Sequence, residues 1–359
     1  MQFIRPALLA TTILTASMTT AFADVRVVTS IKPVHSLVAA VMQGVGTPDL
    51  IVEGAGSPHT YALKPSQAKQ LQEADLVFWM SHDLEAFLEK SIDGIATKAV
   101  SVPLMESRGL MTLGFRDGGA FDDHGHDEHD DHDEHDKHDD HDKDDDHDHE
   151  KHDDHDHEKH DEHDDHDKDD DHDHEKHDDH DEHDHGEVDP HVWLDPENAK
   201  AMVHEIEEAL AKADPANAAT YESNAEAVMA KLDSLVAEID SELQPVKGRG
   251  YIVFHDAYQY FENRFGVSAI GSITVSPEVL PGAERISDLQ EKVRSLDATC
   301  VFSEPQFEPK LVATVTENTN ARTGVLDPLG AAIDKGPNLY FTLIRNMASS
   351  LKNCLLGSG

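Results

Sequence analysis

Histidines and carboxylates are the side chains of this 359-residue chain best suited to chemistry, and they occur in two patterns. The first is scattered. His59, His255 and Asp327 each follow a short apolar stretch, at or just beyond the point where a strand would end, and His191 stands in a proline-bounded turn ahead of a helix. In open α/β sheets, ligands bind beyond the carboxyl ends of the strands. Three imidazoles and a carboxylate make a competent tetrahedral set for zinc, with Zn–N distances of about 2.0–2.1 Å. Two of the four come from each half of the chain, so a shared ion would lie in a cleft between two lobes. Spacing alone does not single them out, because histidines scattered over so long a span are more often unrelated. His35, at a helix start, reads as a capping or surface residue. His204, beside Glu205, Glu207 and Glu208, reads as part of a solvated helix face, and His82, after a strand, as a residue that could approach the cleft.

The second pattern is dense. Residues 122–187 hold 21 His, 37 Asp or Glu and 6 Lys, with no hydrophobic residue before Val188. No packed core can form there, since no apolar area exists whose burial would offset chain entropy. An acidic tether would not need a histidine at one position in three, whereas imidazole is a common ligand for borderline metals. The composition predicts a disordered metal-binding loop with many weak, interchangeable sites. One 19-residue string occurs at 138–156 and again, unchanged, at 163–181. This marks duplication rather than a solenoid, because stacked repeats need apolar positions.

The elements around these residues set the organisation. Residues 1–23 read as a secretory signal peptide, with Arg5 as the positive region, an apolar run over 7–21 and an Ala21-Phe22-Ala23 cleavage signal. The mature protein is expected to be soluble and exported, beginning at Asp24. Of the net charge of −44, the dense segment carries −31 and the remainder only −13. Without a basic patch to neutralise phosphates, nucleic acid is excluded as a partner and anionic membrane surfaces are disfavoured. Cys300 and Cys354 are the only cysteines. In an exported chain an even pair reads as one disulfide, with two free buried thiols as the alternative. Apolar runs such as Leu76-Val77-Phe78-Trp79-Met80 alternate with helical patterns in both halves. That alternation predicts an α/β protein of two doubly wound βα lobes joined by a long rigid helix, with the disordered His/Asp-rich insertion in the first half. The expected layout is an N-terminal lobe at 24–121, the loop at 122–187, the end of that lobe at 188–215, the linking helix at 216–244 and the C-terminal lobe at 245–359.

Several strings carry a family resemblance: GAGSPHTYALKPSQAKQLQEADLVFW at 54–79, DPHVWLDPENAK at 189–200, YIVFHDAYQYFENRFG at 251–266, FSEPQFEP at 302–309 and LDPLG at 326–330. They closely resemble the periplasmic zinc-binding proteins of ATP-binding-cassette zinc importers. The likeness covers essentially the whole mature chain outside the charged loop, and an acidic His-rich insertion at this point is typical of zinc-type members. The resemblance implies that His59, His191 and His255 are metal ligands, that Asp327 matches a fourth, carboxylate position, and that Cys300 and Cys354 pair. Related manganese binders tend to carry Glu where His255 stands. Some zinc-type members have Glu just before the first histidine, and here that position is Pro58, so Asp327 or water is expected to complete the shell.

The expected activity is capture and delivery without turnover. Zn²⁺ is the transported ligand, and the partners are an importer permease with its ATPase, with other periplasmic zinc proteins as further candidates. The protein is expected to be a monomer. The His-rich loop would act as a low-affinity collector tethered beside the site, and release would follow local loop movement rather than wide lobe opening. A zinc hydrolase keeps an open coordination position and a general base, as in H-E-x-x-H, and no such motif occurs. A periplasmic metal buffer or storage protein, or a manganese-binding importer component, are the alternatives.

Overall fold

The computed structural model describes residues 25–116, 188–274, 281–295 and 300–357. The expected leader at 1–23 and the His/Asp-rich loop at 122–187 lie outside them. The β-branched run Val27–Thr29 forms β1, followed by α1 (Lys32–Val41), β2 (Asp49–Leu50), α2 (Pro65–Glu73), β3 (Leu76–Trp79), α3 (Ala86–Ile95) and β4 (Val100–Pro103). The four strands form one parallel sheet in the order β2-β1-β3-β4. All four residues of β3 are buried, as a parallel strand covered by helices on both faces requires.

The second half repeats the plan. After α4 (Pro196–Ala213) and α5 (Ala218–Leu243) come β5 (Tyr251–His255), α6 (Gln259–Phe265), β6 (Ala269–Thr274), α7 (Ala283–Ser295), β7 (Cys300–Ser303), α8 (Lys310–Thr316), β8 (Arg322–Val325) and α9 (Leu339–Leu356). Its strands are also parallel, in the order β6-β5-β7-β8. Successive side chains on a strand point to opposite faces, and the packing follows. Tyr251, Val253, Cys300 and Phe302 join the main core, while Ile252, Phe254 and Val301 join a second cluster with Leu289 and Val312 of α7 and α8. A disulfide between Cys300 and Cys354 ties β7 to α9.

Two helices fix how the lobes meet. Asp195 caps α4 by accepting the Glu197 N–H at 2.9 Å, and Pro196 follows at the first helical position, where its missing N–H costs nothing. The 26 residues of α5 span about 39 Å. They bury Tyr221, Ala225, Val228, Leu232, Leu235, Ile239 and Leu243, an apolar row every three or four residues. Leu232, Leu235 and Ile239 alone contribute on the order of 5 kcal/mol. The helix packs against α1 and α4 of the first lobe and α9 of the second. One hydrophobic core therefore runs through both lobes, from Val28 and Phe78 through Leu232 to Phe302 and Ile344. Close-packed interiors of this kind resist shear. Among the described residues no helix is long and apolar enough to cross a membrane.

The sequence places the start of α1 near His35, but the helix begins a turn earlier, at Lys32, with Pro33 in its first turn. His35 is consequently inside the helix and only 2% exposed, its Nε2 lying 3.2 Å from the Pro48 carbonyl. It is a core residue rather than a cap or surface histidine, and burial pushes its pKa down to about 4.

Candidate metal centre

His255 is the last residue of β5, so the strand itself aims it at the carboxyl edge of the second sheet. His59 is carried by a single 3₁₀ turn, Pro58–Thr60, in the loop after β2. His191 precedes a second 3₁₀ turn, Val192–Leu194, which leads into the cap of α4. Three segments far apart in sequence thus deliver three imidazoles to one point. Their ring centroids are 5.4 Å (59 to 191), 5.8 Å (59 to 255) and 5.3 Å (191 to 255) apart. One nitrogen from each lies within 4.8 Å of the others. The Nε2 atoms of His191 and His255 are 3.4 Å apart, and tetrahedral ligands about 2.1 Å from a shared zinc ion stand at about that separation.

Two carboxylates hold two of these rings in the same way. Asp189 Oδ1 accepts both the backbone N–H and the Nδ1–H of His191, at 3.0 and 2.6 Å. Glu304 Oε1 accepts the same pair from His255, at 3.3 and 2.7 Å. Each acceptor puts the ring proton on Nδ1 and leaves the Nε2 lone pair facing the other histidines, the arrangement in which metal-binding imidazoles are held. Asp189 is itself anchored by Gln259 Nε2 at 2.6 Å through its other oxygen. The sequence motifs include both acids but do not reveal these contacts.

The surroundings act differently on His59 and His255. Burial, with His191 and His255 adding to it, pushes His59 down to about 2. Burial also opposes charge on His255, but Glu304, with Asp256 and Asp189 beyond, outweighs it and raises that pKa. Pro58, Trp193, Phe307, Pro328 and Leu329 wall the cavity between the rings, which at about 10 Å³ admits one water-sized sphere. That is room for an ion. The Trp193 indole N–H donates to the Pro328 carbonyl at 2.9 Å, which fixes this wall.

Asp327 stands outside the group. Its Oδ1 accepts from Gln306 Nε2 and the backbone N–H groups of Leu329 and Gly330, and its Oδ2 from the N–H of Ala331, at 3.0, 3.1, 2.9 and 2.6 Å. The carboxylate shapes the 327–331 turn. From the first lobe, the buried Lys32 ammonium donates to the carbonyls of Gly330, Ala331 and Ile333 in the same loop. His82 is half-exposed and paired with Glu89 at 2.7 Å, away from the three rings. His204 lies exposed beside Glu207 and Glu208, as its neighbours predict.

The chain can now be set beside known proteins. The family model for the periplasmic zinc-uptake complex component A matches residues 27–354. The high-affinity zinc uptake system protein ZnuA of Brucella abortus is 55% identical over 329 residues, which is 92% of this chain and 91% of that one. Its namesake in Yersinia pestis is 33% identical over 354 residues, 99% of this chain and 98% of that one. A crystal structure of ZnuA superposes with a TM-score of 0.64 at 21% identity, covering 92% of this chain and all of the other, which speaks for the fold alone. By the reach of the family match and the identity of these relatives, the chain belongs to the family of periplasmic zinc-uptake component A proteins.

Proposed function

We propose that this protein captures Zn²⁺ with His59, His191 and His255 in a cleft between its lobes and delivers it to the permease of an ATP-binding-cassette importer. The observation that carries this reading is the convergence of three imidazole nitrogens within 4.8 Å of one another. Three nitrogen donors suit zinc better than manganese, which takes more oxygen ligands. The family membership supports import, and the single-ion cavity supports binding without turnover. In this reading residues 1–23 are a leader removed on export to the periplasm, where the mature chain acts as a monomer. The layout is a first lobe at 24–121 and 188–215, a linking helix at 216–244 and a second lobe at 245–359. The stretch 122–187 is a low-affinity zinc collector whose end leads into His191 within four residues, so that captured ions are concentrated beside the site. Because one core spans both lobes, release on docking comes from movement of the loop that carries Pro328 and Leu329.

Zinc affinity measured by chelator competition and calorimetry tests this on the full chain, a variant lacking 122–187 and His59→Ala. The shortened protein should keep one tight site and lose the weaker capacity. H59A should bind roughly 10²-fold more weakly, about a quarter of the 10–16 kcal/mol available to a four-ligand zinc site. Loss of all tight binding on deleting 122–187 would favour a metal buffer in which the lobes are only a carrier. An H59A variant as tight as wild type would remove the site assignment.

A further inference from the structure

The geometry points to Glu304 as the carboxylate that sets the grip of this site, acting on the ion through His255 and from the cavity wall, in the place the sequence suggests for Asp327. This rests on the three-imidazole zinc reading above.

The tie between Glu304 and His255 is not a local one. The residues are 49 apart in sequence, and they meet because β5 and β7 are paired neighbours whose carboxyl ends lie side by side. Glu304 takes both N–H groups of His255 on one oxygen. Its other oxygen, Oε2, is buried and makes no hydrogen bond of good geometry, although Glu304 is only 3% exposed and lines the cavity. The Tyr258 hydroxyl hydrogen-bonds to this carboxylate and also lies 3.4 Å from the Leu326 carbonyl. One hydroxyl fills one of that oxygen's two lone pairs and leaves the other as a buried acceptor position. A divalent cation in the cavity, or the water that cation carries, is the chemistry that would satisfy it.

Charge gives the second argument. Three neutral imidazoles contribute nothing against a dication, whereas Asp189 and Glu304, each buried behind one ring, together offset two positive charges. Such a site is matched to a divalent ion and under-compensated for a monovalent one, so the pair selects by charge where imidazole selects by softness. Asp327 is less available for this, because three donors occupy its Oδ1 and one its Oδ2.

Glu304 is a positioning residue for His255, and E304Q is the near-isosteric test, with E85Q, at a buried first-lobe carboxylate bonded to the Met80 and Ser81 N–H groups, as its control and wild type and H59A as references. Three quantities are read for each: zinc Kd by chelator competition, the melting temperature of metal-free protein, and the visible absorption spectrum with Co²⁺ as probe. E304Q should bind zinc 10- to 100-fold more weakly, shift the Co²⁺ bands, and melt without metal no lower than wild type. E85Q should keep zinc Kd within about threefold. Should E304Q not yield folded protein, E304D, which keeps the charge but shortens the reach, is held to the same thresholds. The inference is overturned by an E304Q Kd within about threefold of wild type, by an unshifted Co²⁺ spectrum, or by E85Q losing as much zinc affinity as E304Q. Failure of wild type to bind zinc, or an H59A variant as tight as wild type, removes the zinc reading itself. Expected behaviour of both references with an unaltered E304Q removes only the role of Glu304.

Discussion

The two lobes carry the same sheet, β2-β1-β3-β4 and β6-β5-β7-β8, but among the described residues only the second lines the ion site with side chains from its central strand ends. In the second lobe, β5 ends in His255 and β7 is followed at once by Glu304, and the two are hydrogen-bonded. In the first lobe, Ser30 follows β1, and the carboxylate associated with β3 is Glu85. Glu85 turns back to accept the N–H groups of Met80 and Ser81 at 3.0 and 3.1 Å, and it interacts with the Ser30 hydroxyl. One scaffold thus uses a strand-end carboxylate to orient an imidazole, and its twin uses one to fold a loop. The first lobe sends its histidine, His59, from the loop after β2 instead. Shared topology therefore specifies where a ligand can be placed, while the side chains at the strand ends decide whether one is.

The lobes differ also in how buried acids are balanced, and breaking that balance should have the largest effect on stability. In the second lobe, Asp256 and Glu262, each with a 5% exposed side chain, share Arg116. Burial opposes the guanidinium charge, but Asp256 and Glu262 outweigh it and raise the Arg116 pKa. Arg116→Met strands two acids in the interior and should cost about 3–5 kcal/mol in urea denaturation. Adding D256N and E262Q should restore most of it. A loss below about 1 kcal/mol for R116M alone would show that another cation balances these acids.

The next effect is confined to the second lobe. The Cys300–Cys354 disulfide closes a loop of sequence separation 54, for which chain entropy gives at most about 4 kcal/mol. The double variant C300S/C354S should lose about 2–4 kcal/mol while keeping its zinc affinity. Cys300 begins β7, whereas Glu304 follows its far end, roughly 13 Å along an extended strand. A zinc Kd that rises as stability falls would mean that this strand transmits strain to His255.

Much of the architecture was legible because it rests on local pattern. The apolar run at Leu76–Trp79 could only be a covered strand, and the apolar row along α5 announced a long helix within two residues of its observed ends. The three histidines were legible because each is bound to a local signal, a strand end or a proline turn. What could not be read depends on pairing between distant segments. The partner of His255 arrives on a neighbouring strand, and no periodicity in the chain encodes that register. Asp327 also follows a strand, and that the backbone of its own turn would donate to its oxygens is not written in the spacing. Periodicity likewise says that a face of α5 is apolar but not that it meets both lobes in one core. Asp189 is the partial exception, since an acid two residues before a histidine can close a local turn onto it.

The smallest expected effect sharpens the contrast between the lobes most directly. Burial pushes Glu85 up to about 7 from an ordinary 4.5, with Ser30 and the N–H groups of Ser81 and Met80 opposing that rise. The folded state therefore keeps the Glu85 proton to higher pH than the unfolded chain does. Stability contributed at this position is full below about pH 4.5, falls as pH rises toward 7, and is level above it. Glu85→Gln is neutral throughout, and an amide oxygen can still accept both N–H groups, since both now go to one carboxylate oxygen. The variant should match wild type near pH 4.5 and exceed it by up to about 3 kcal/mol above pH 7, read as urea midpoints across that range, with zinc affinity unchanged. A difference independent of pH would show that Glu85 does not titrate in this window. The same Glu→Gln change should thus strengthen the fold at the end of β3 and weaken the grip on zinc at the end of β7, because one carboxylate is buried against backbone and the other against an imidazole that must face a cation.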